Sequence, residues 1–195
     1  MKTKVSMLLL ISAILPACNE EAIRDDAFYT FTGETIASFC ENGENSLSIF
    51  ARLIEESGTR PILSVYGHYT CFAPSDEAFE KYFEKEGITC DELSEEEKKK
   101  IVYDHVIKGT GTVYLSDFFE QGALPRPNMN DRELSISFVD DGDKQAIFVN
   151  NSAKITVKDN EVHNGVVHII NGVVKPSANH LLQTMEEAGY FKLFS

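Results

Sequence analysis

The sequence predicts an α+β domain, and three observations carry that expectation. Segments with helical hydrophobic period fill the first half of the chain from residue 36 onward, and short β-rich runs separated by Asp, Gly and Asn fill the second. "YTCFAPSDEAFEKY", residues 69–82, changes period in its middle. Asn164-Gly165 is a two-residue hairpin signal between β-branched runs.

Taken in order, "ETIASFCEN" places Ile36, Phe39 and Cys40 on one helical face. "NSLSIFARLIEESG" places Leu47, Phe50, Leu53 and Ile54 on another, with Gly58 in the C-cap position. Two short helices thus open the domain. Tyr69 to Phe72 suit a strand that Pro74 stops, and Phe79, Tyr82 and Phe83 recur at helical spacing. At the junction Ser75 offers an N-cap, and Asp76 and Glu77 put negative charge at the positive end of the helix. In "LSEEEKKKIVYDHVIKG" Ser94 and Glu97 have capping-box spacing, and the charge run of Lys98 to Lys100 reads as a solvated helix face. The runs "LSISFVDD", "QAIFVNN", "KITVKD" and "EVHNGVVHIINGVV" are the expected strands.

The chain has 195 residues, 43% of them hydrophobic, enough for one well-packed domain with some residues left over. Its net charge is -13, and the first seventeen residues hold Lys2 and Lys4 but no acid. The remainder therefore sets 16 basic (18 minus those two) against 31 acidic side chains. Such a surface repels phosphate backbones, so nucleic acid is discounted as a partner.

Lys2 and Lys4 form a basic start to an apolar run, Val5 to Leu15, too short to stay in a bilayer as a spanning helix. The "LPAC" that follows resembles a bacterial lipobox, which implies a signal peptide over 1–17 and lipid attachment at Cys18; ordinary signal cleavage nearby is the alternative. Asn19, Glu20 and Glu21 resemble the export signal of some gram-negative lipoproteins, implying an outer membrane lipoprotein of the bacterial cell envelope that is surface-exposed. Residues 18–33 read as an acidic tether and 34–178 as the domain. Cys40, Cys71 and Cys90 remain, an odd number with no zinc or redox spacing. A Cys40–Cys90 bridge stays open, and Cys71 reads as a small buried apolar residue.

Several constellations invite chemistry. With a two-residue loop at 164–165, His163 opposes Val166, and His168 becomes its diagonal neighbour roughly 7 Å away. The pair, with Glu161, could share a metal; hydrogen-bonded or exposed histidines are the plainer reading, and no metal site is assigned. "YDHV", residues 103–106, has Tyr, Asp and His at a helix end but no nucleophile in a catalytic setting, so His105 reads as a structural hydrogen-bonder. "DDGDK", residues 140–144, lacks the ligand pattern of an EF-hand and reads as a turn between strands. Asn150-Asn151-Ser152 matches a glycosylation sequon that a bacterial lipoprotein has no use for.

"YTCFAPSDEAF" resembles the strand, turn and helix of the fasciclin domain, in which an apolar strand runs into Phe-Ala-Pro-Thr/Ser-Asp-x-Ala-Phe. "SIFARLIEESG", "IVYDHVIKG" and "NGVVHIINGVVKP" agree in order and approximate spacing, and the resemblance covers about Glu34 to Ser177. It implies a fasciclin-type β-wedge with helices packed around it, in a non-enzymatic adhesion module without a cofactor. The 72–76 corner is then a fold signature, not an active site. The family segment has Tyr directly before His; here Asp104 stands there and Tyr103 one residue earlier, which moves the ring by about a quarter turn. Tyr103, Asp104 and His105 are the interaction candidates that the resemblance supplies.

The expected function is therefore a cell-surface adhesion or ligand-binding module, held to the membrane by lipid at Cys18 and contacting an extracellular protein or glycan. The alternatives are a metal-assisted hydrolase using His163, His168 and Glu161, or an architectural envelope spacer. The tail, 179–195, reads as a C-terminal helix, and its "KLF" echoes "SIF" at an offset of 194 minus 50, or 144 residues, as the start of a second repeat would.

Overall fold

In the computed structural model, residues 33–109, 111–115, 121–141 and 144–174 are described. The proposed signal peptide, Cys18, the tether up to residue 32, the centre of the 140–144 turn and the tail lie outside them.

The helices start where side chains can satisfy their first amides. α1 (Ile36–Glu41) is opened by Thr35 in a capping box with Ser38 and buries Ile36, Ala37, Phe39 and Cys40. α2 (Ser48–Glu56) has no cap from its own N-cap residue, Leu47. Its cap comes from 27 residues away: Asp76 Oδ1 accepts from the amide of Ile49 at 2.8 Å and Oδ2 from Ser48 Oγ at 2.9 Å. Ser57 is the C-cap of α2 and Gly58 follows at φ +66°, a conformation that favours glycine. A short α3 (Arg60–Leu63), which the sequence reading did not foresee, carries Pro61 in its first turn.

β1 (His68–Pro74) runs into α4 (Asp76–Glu86), with Ser75 capping through Ala78 and Gly87 ending the helix in the left-handed conformation. The foreseen capping box of Ser94 and Glu97 opens α5 (Glu95–Asp104). One residue of its charge run departs from the expected solvated face: Lys98 is buried and bridges Glu56 at 2.8 Å, because it points at α2.

The strands β2 (Val106–Gly109), β3 (Gly122–Ala123), β4 (Ser135–Asp141), β5 (Lys144–Val149), β6 (Ala153–Val162) and β7 (Gly165–Ile170) join β1 in the order β2-β1-β7-β6-β5-β4-β3. The sheet is mixed: β1 lies parallel to β7, and the other described pairings are antiparallel. One apolar cluster joins α1, α2 and α4 to β1; a second lies under Phe72, Ile136, Val149 and Ile170. All three described cysteines are free, so the open Cys40–Cys90 pairing does not form: Cys40 and Cys71 fill the first cluster and Cys90 is half-buried. Burial pushes all three thiols up, which suits inert filling.

Candidate functional site

The β6–β7 hairpin forms, but its turn differs from the expected one. Val162 pairs with Gly165, so the loop residues are His163 and Asn164. Two contacts enforce this. A Cβ on Gly165 would stand 2.0 Å from the carbonyl oxygen of Tyr69 in parallel β1, so only glycine fits in the strand there. Asn164 is wholly buried: its Oδ1 accepts from the Ile36 amide at 2.9 Å, and its Nδ2 donates to the carbonyls of Leu63 at 2.8 Å and Val65 at 3.1 Å. The turn residue is a joint between α1, α3 and the sheet.

The shifted turn separates the three supposed metal ligands. His163 and Glu161 are exposed whereas His168 is wholly buried, tilted against Phe72 at 5.2 Å. Its Nδ1 accepts from the Asp159 amide at 3.0 Å and its Nε2 lies 3.0 Å from the Val113 carbonyl, so both nitrogens are engaged. Among the described residues no group of three His, Cys, Asp or Glu could hold a metal ion. The three ligands of the hydrolase reading form no such group.

Tyr103, Asp104 and His105 are contiguous but face different surroundings. His105 is wholly buried at the end of α5; its Nε2 accepts from the Val174 amide at 2.9 Å, so Nδ1 carries the proton and donates to the Ile101 carbonyl at 2.7 Å. His168 takes the opposite tautomer by the same logic. Burial holds both imidazoles down to about 4, neutral at ordinary pH. Neither has a free nitrogen for proton transfer.

Asp104 is 3% exposed. Its Oδ1 accepts from Asn130 Nδ2 at 2.7 Å and Asn128 Nδ2 at 3.4 Å, while burial pushes the carboxyl above the usual carboxylate range against these amides, Arg132 and Lys100. The two asparagines were missed in the sequence; "PRPNMND" reads locally as a turn, and nothing in it announces a partner on α5. Tyr103 alone of the three is half exposed, with Lys99 Nζ 5.7 Å from its ring centre, in a shallow depression it shares with Glu96, Glu97, Lys100 and Asn130. The corner at 72–76 is interior: Phe72, Ala73 and Pro74 are buried, and Asp76 is spent on α2.

Comparison with known proteins agrees with this architecture. The fasciclin domain model matches residues 45–176. Human periostin is 32% identical over 166 residues, which cover 84% of this chain and 18% of that protein. The solved FAS1 domain pair of the insect cell adhesion molecule fasciclin I superposes with a TM-score of 0.55 at 20% identity, over 78% of this chain and 55% of that one. The chain thus spans about a fifth of periostin and about half of the fasciclin I pair. With its strand-to-helix corner and its β-wedge in place, the chain belongs to the fasciclin domain family.

Proposed function

We propose that the protein is a non-enzymatic adhesion or ligand-binding module, carried on the bacterial outer membrane by lipid at Cys18 and contacting an extracellular protein or glycan. In this reading residues 1–17 are a signal peptide, 18–33 a tether, 34–178 the binding domain and 179–195 a C-terminal helix. Family membership supports the class, and the solved relative of known role is a cell adhesion molecule. The observation that carries the choice of surface is the division within 103–105. Asp104 and His105 are bonded inside the domain, which leaves Tyr103 on the exposed face of α5 as the residue a partner can reach.

Membrane fractionation of Cys18→Ser tests the anchor. Release of the variant into the soluble fraction is expected, and sedimentation with membranes would refute it. A protein and glycan array probed with the mature chain tests the surface: Tyr103→Ala should lose the captured ligand while melting as the parent does. Unchanged capture would move the contact elsewhere.

A further inference from the structure

Between α4, α5 and residues 173–174, which follow β7, lies a cavity of about 380 Å³ walled by Tyr82, Ile88, Leu93, Ile101, Val173 and Val174. That volume falls among small-molecule sites, which span roughly 300–1,000 Å³ and pair an apolar wall with a few polar groups. Asp104 lines one end. Its Oδ1 is held by Asn130 and Asn128, but Oδ2 accepts no hydrogen bond. A sealed carboxylate oxygen without a partner is costly. The sealed, unpartnered side-chain atoms among the described residues are Ser137 Oγ and Asn150 Nδ2, so Asp104 Oδ2 keeps access to solvent, and the cavity that Asp104 lines is next to it.

The charges around the cavity select its ligand. Glu97, Lys100 and Asp104 are the charged groups that line it, one cation against two carboxylates, in a chain of net charge -13. Glu97 Oε2 is taken by Ser94, and Lys100 acts on Asp104 by charge without a direct ion pair among the described residues. An anion would meet a net negative wall, and a purely apolar guest would leave Oδ2 unpaired. A metal ion needs several ligands, and among the described residues no group of three His, Cys, Asp or Glu could hold one.

We propose that this cavity binds a small ligand with an apolar body and a single cationic head, ammonium or guanidinium, seated on Asp104 Oδ2. Tyr103 lies in a neighbouring depression that shares Glu97 and Lys100 with this cavity, whereas Leu93, Ile101 and Val173 line the cavity and not that depression.

The test is a titration of the chain from residue 18 to 195 with 2-phenylethylammonium and, separately, 3-phenylpropanoate, followed by amide chemical shifts. Saturable shifts at Leu93, Ile101 and Val173 are expected with the amine, and the carboxylate should bind about ten- to a hundredfold more weakly, as loss of a charge-assisted hydrogen bond requires. Asp104→Asn keeps an oxygen for Asn130 yet removes the charge, and should weaken the amine by the same factor. Ile88→Trp fills the cavity without touching Asp104 and should abolish the shifts. The proposal is overturned by equal binding of amine and carboxylate, by full amine affinity in Asp104→Asn, by shifts that map to the Tyr103 face, or by no saturable shift at millimolar amine.

Discussion

The helical side of the molecule and the outer strands of its sheet are held together in different ways. On the helical side, side chains close to the helix starts satisfy the free amides: Thr35 for α1, Ser75 for α4 and Ser94 for α5, with Asp76 reaching over to α2. In the outer strands pairing thins out. β5 pairs with β4 from Lys144 to Val149 but with β6 only through Phe148 and Val149, so the strands splay apart like an open wedge. The same region holds the exposed Val139 and Val157 and, among the described residues, the sealed polar atoms without partners, Ser137 Oγ and Asn150 Nδ2. Local capping gives the helical side many small, independent constraints, and the outer strands depend on register set elsewhere.

The joint between these regions is where a substitution should matter most. Asn164→Ala would strand the Ile36 amide and the Leu63 carbonyl in a buried place and the Val65 carbonyl in a partly buried one, at about 5 kcal/mol for the three lost bonds. That corresponds to a fall in melting temperature of roughly 10–20 °C. Gly165→Ala should not fold at all, since its Cβ would meet the backbone of Tyr69. Thermal unfolding by circular dichroism measures both. A drop under roughly 3 °C for Asn164→Ala would mean that the two regions are not joined there.

This joint also marks how far the sequence could be read. Helix starts were legible because a cap and the amide it serves lie within three residues, as Ser75 with Ala78 and Ser94 with Glu97 do. The strands beyond residue 134 were legible from their alternation and turns. What escaped reading depends on distant partners. Asn164-Gly165 carries a turn signal by local rules, yet Asn164 is wanted by Ile36, 128 residues away, and Gly165 by Tyr69, so the turn moves back by one residue. The parallel placement of β1 beside β7, the burial of Lys98 toward Glu56 and the Asn128 and Asn130 hold on Asp104 are of the same kind. Sequence named residues 103–105 but not which of them faces outward, because one helix turn shows its contacts only when its neighbours are in place.

Acid should act on both regions alike, because each holds one neutral buried histidine. His105 sits against Phe50 on the helical side and His168 against Phe72 under the sheet. Both titrate near 4 when folded, below the unfolded value of 6.5, so between these values the unfolded chain binds more protons. Their contribution is therefore complete above about pH 6.5 and is lost as pH falls toward 4, up to about 3 kcal/mol for each. Asp104, with its raised carboxyl, works in the opposite sense over the acid range and blunts the slope. Urea unfolding at stepped pH, with His105→Gln and His168→Gln compared, should show each variant losing about half of the slope. A slope carried by one histidine alone would mean that one region opens before the other.

The smallest expected effects separate the regions most cleanly. Asp76→Ala removes the acceptors for Ile49 and Ser48 and the charge at the start of α4, which should cost about 1–2 kcal/mol, or roughly 3–6 °C. Val139→Thr and Val157→Thr change exposed positions on the splayed strands, where substitutions stay within about 0.5 kcal/mol. Melting of the three variants beside the parent checks the contrast. Asp76 lies in the corner that first marks the family in the sequence, and its loss should be felt because it organises a helix that begins 28 residues earlier. A fall of several degrees in either valine variant would show that the outer face of the wedge is covered by another surface, and the contrast drawn between capped helices and open strands would then be wrong.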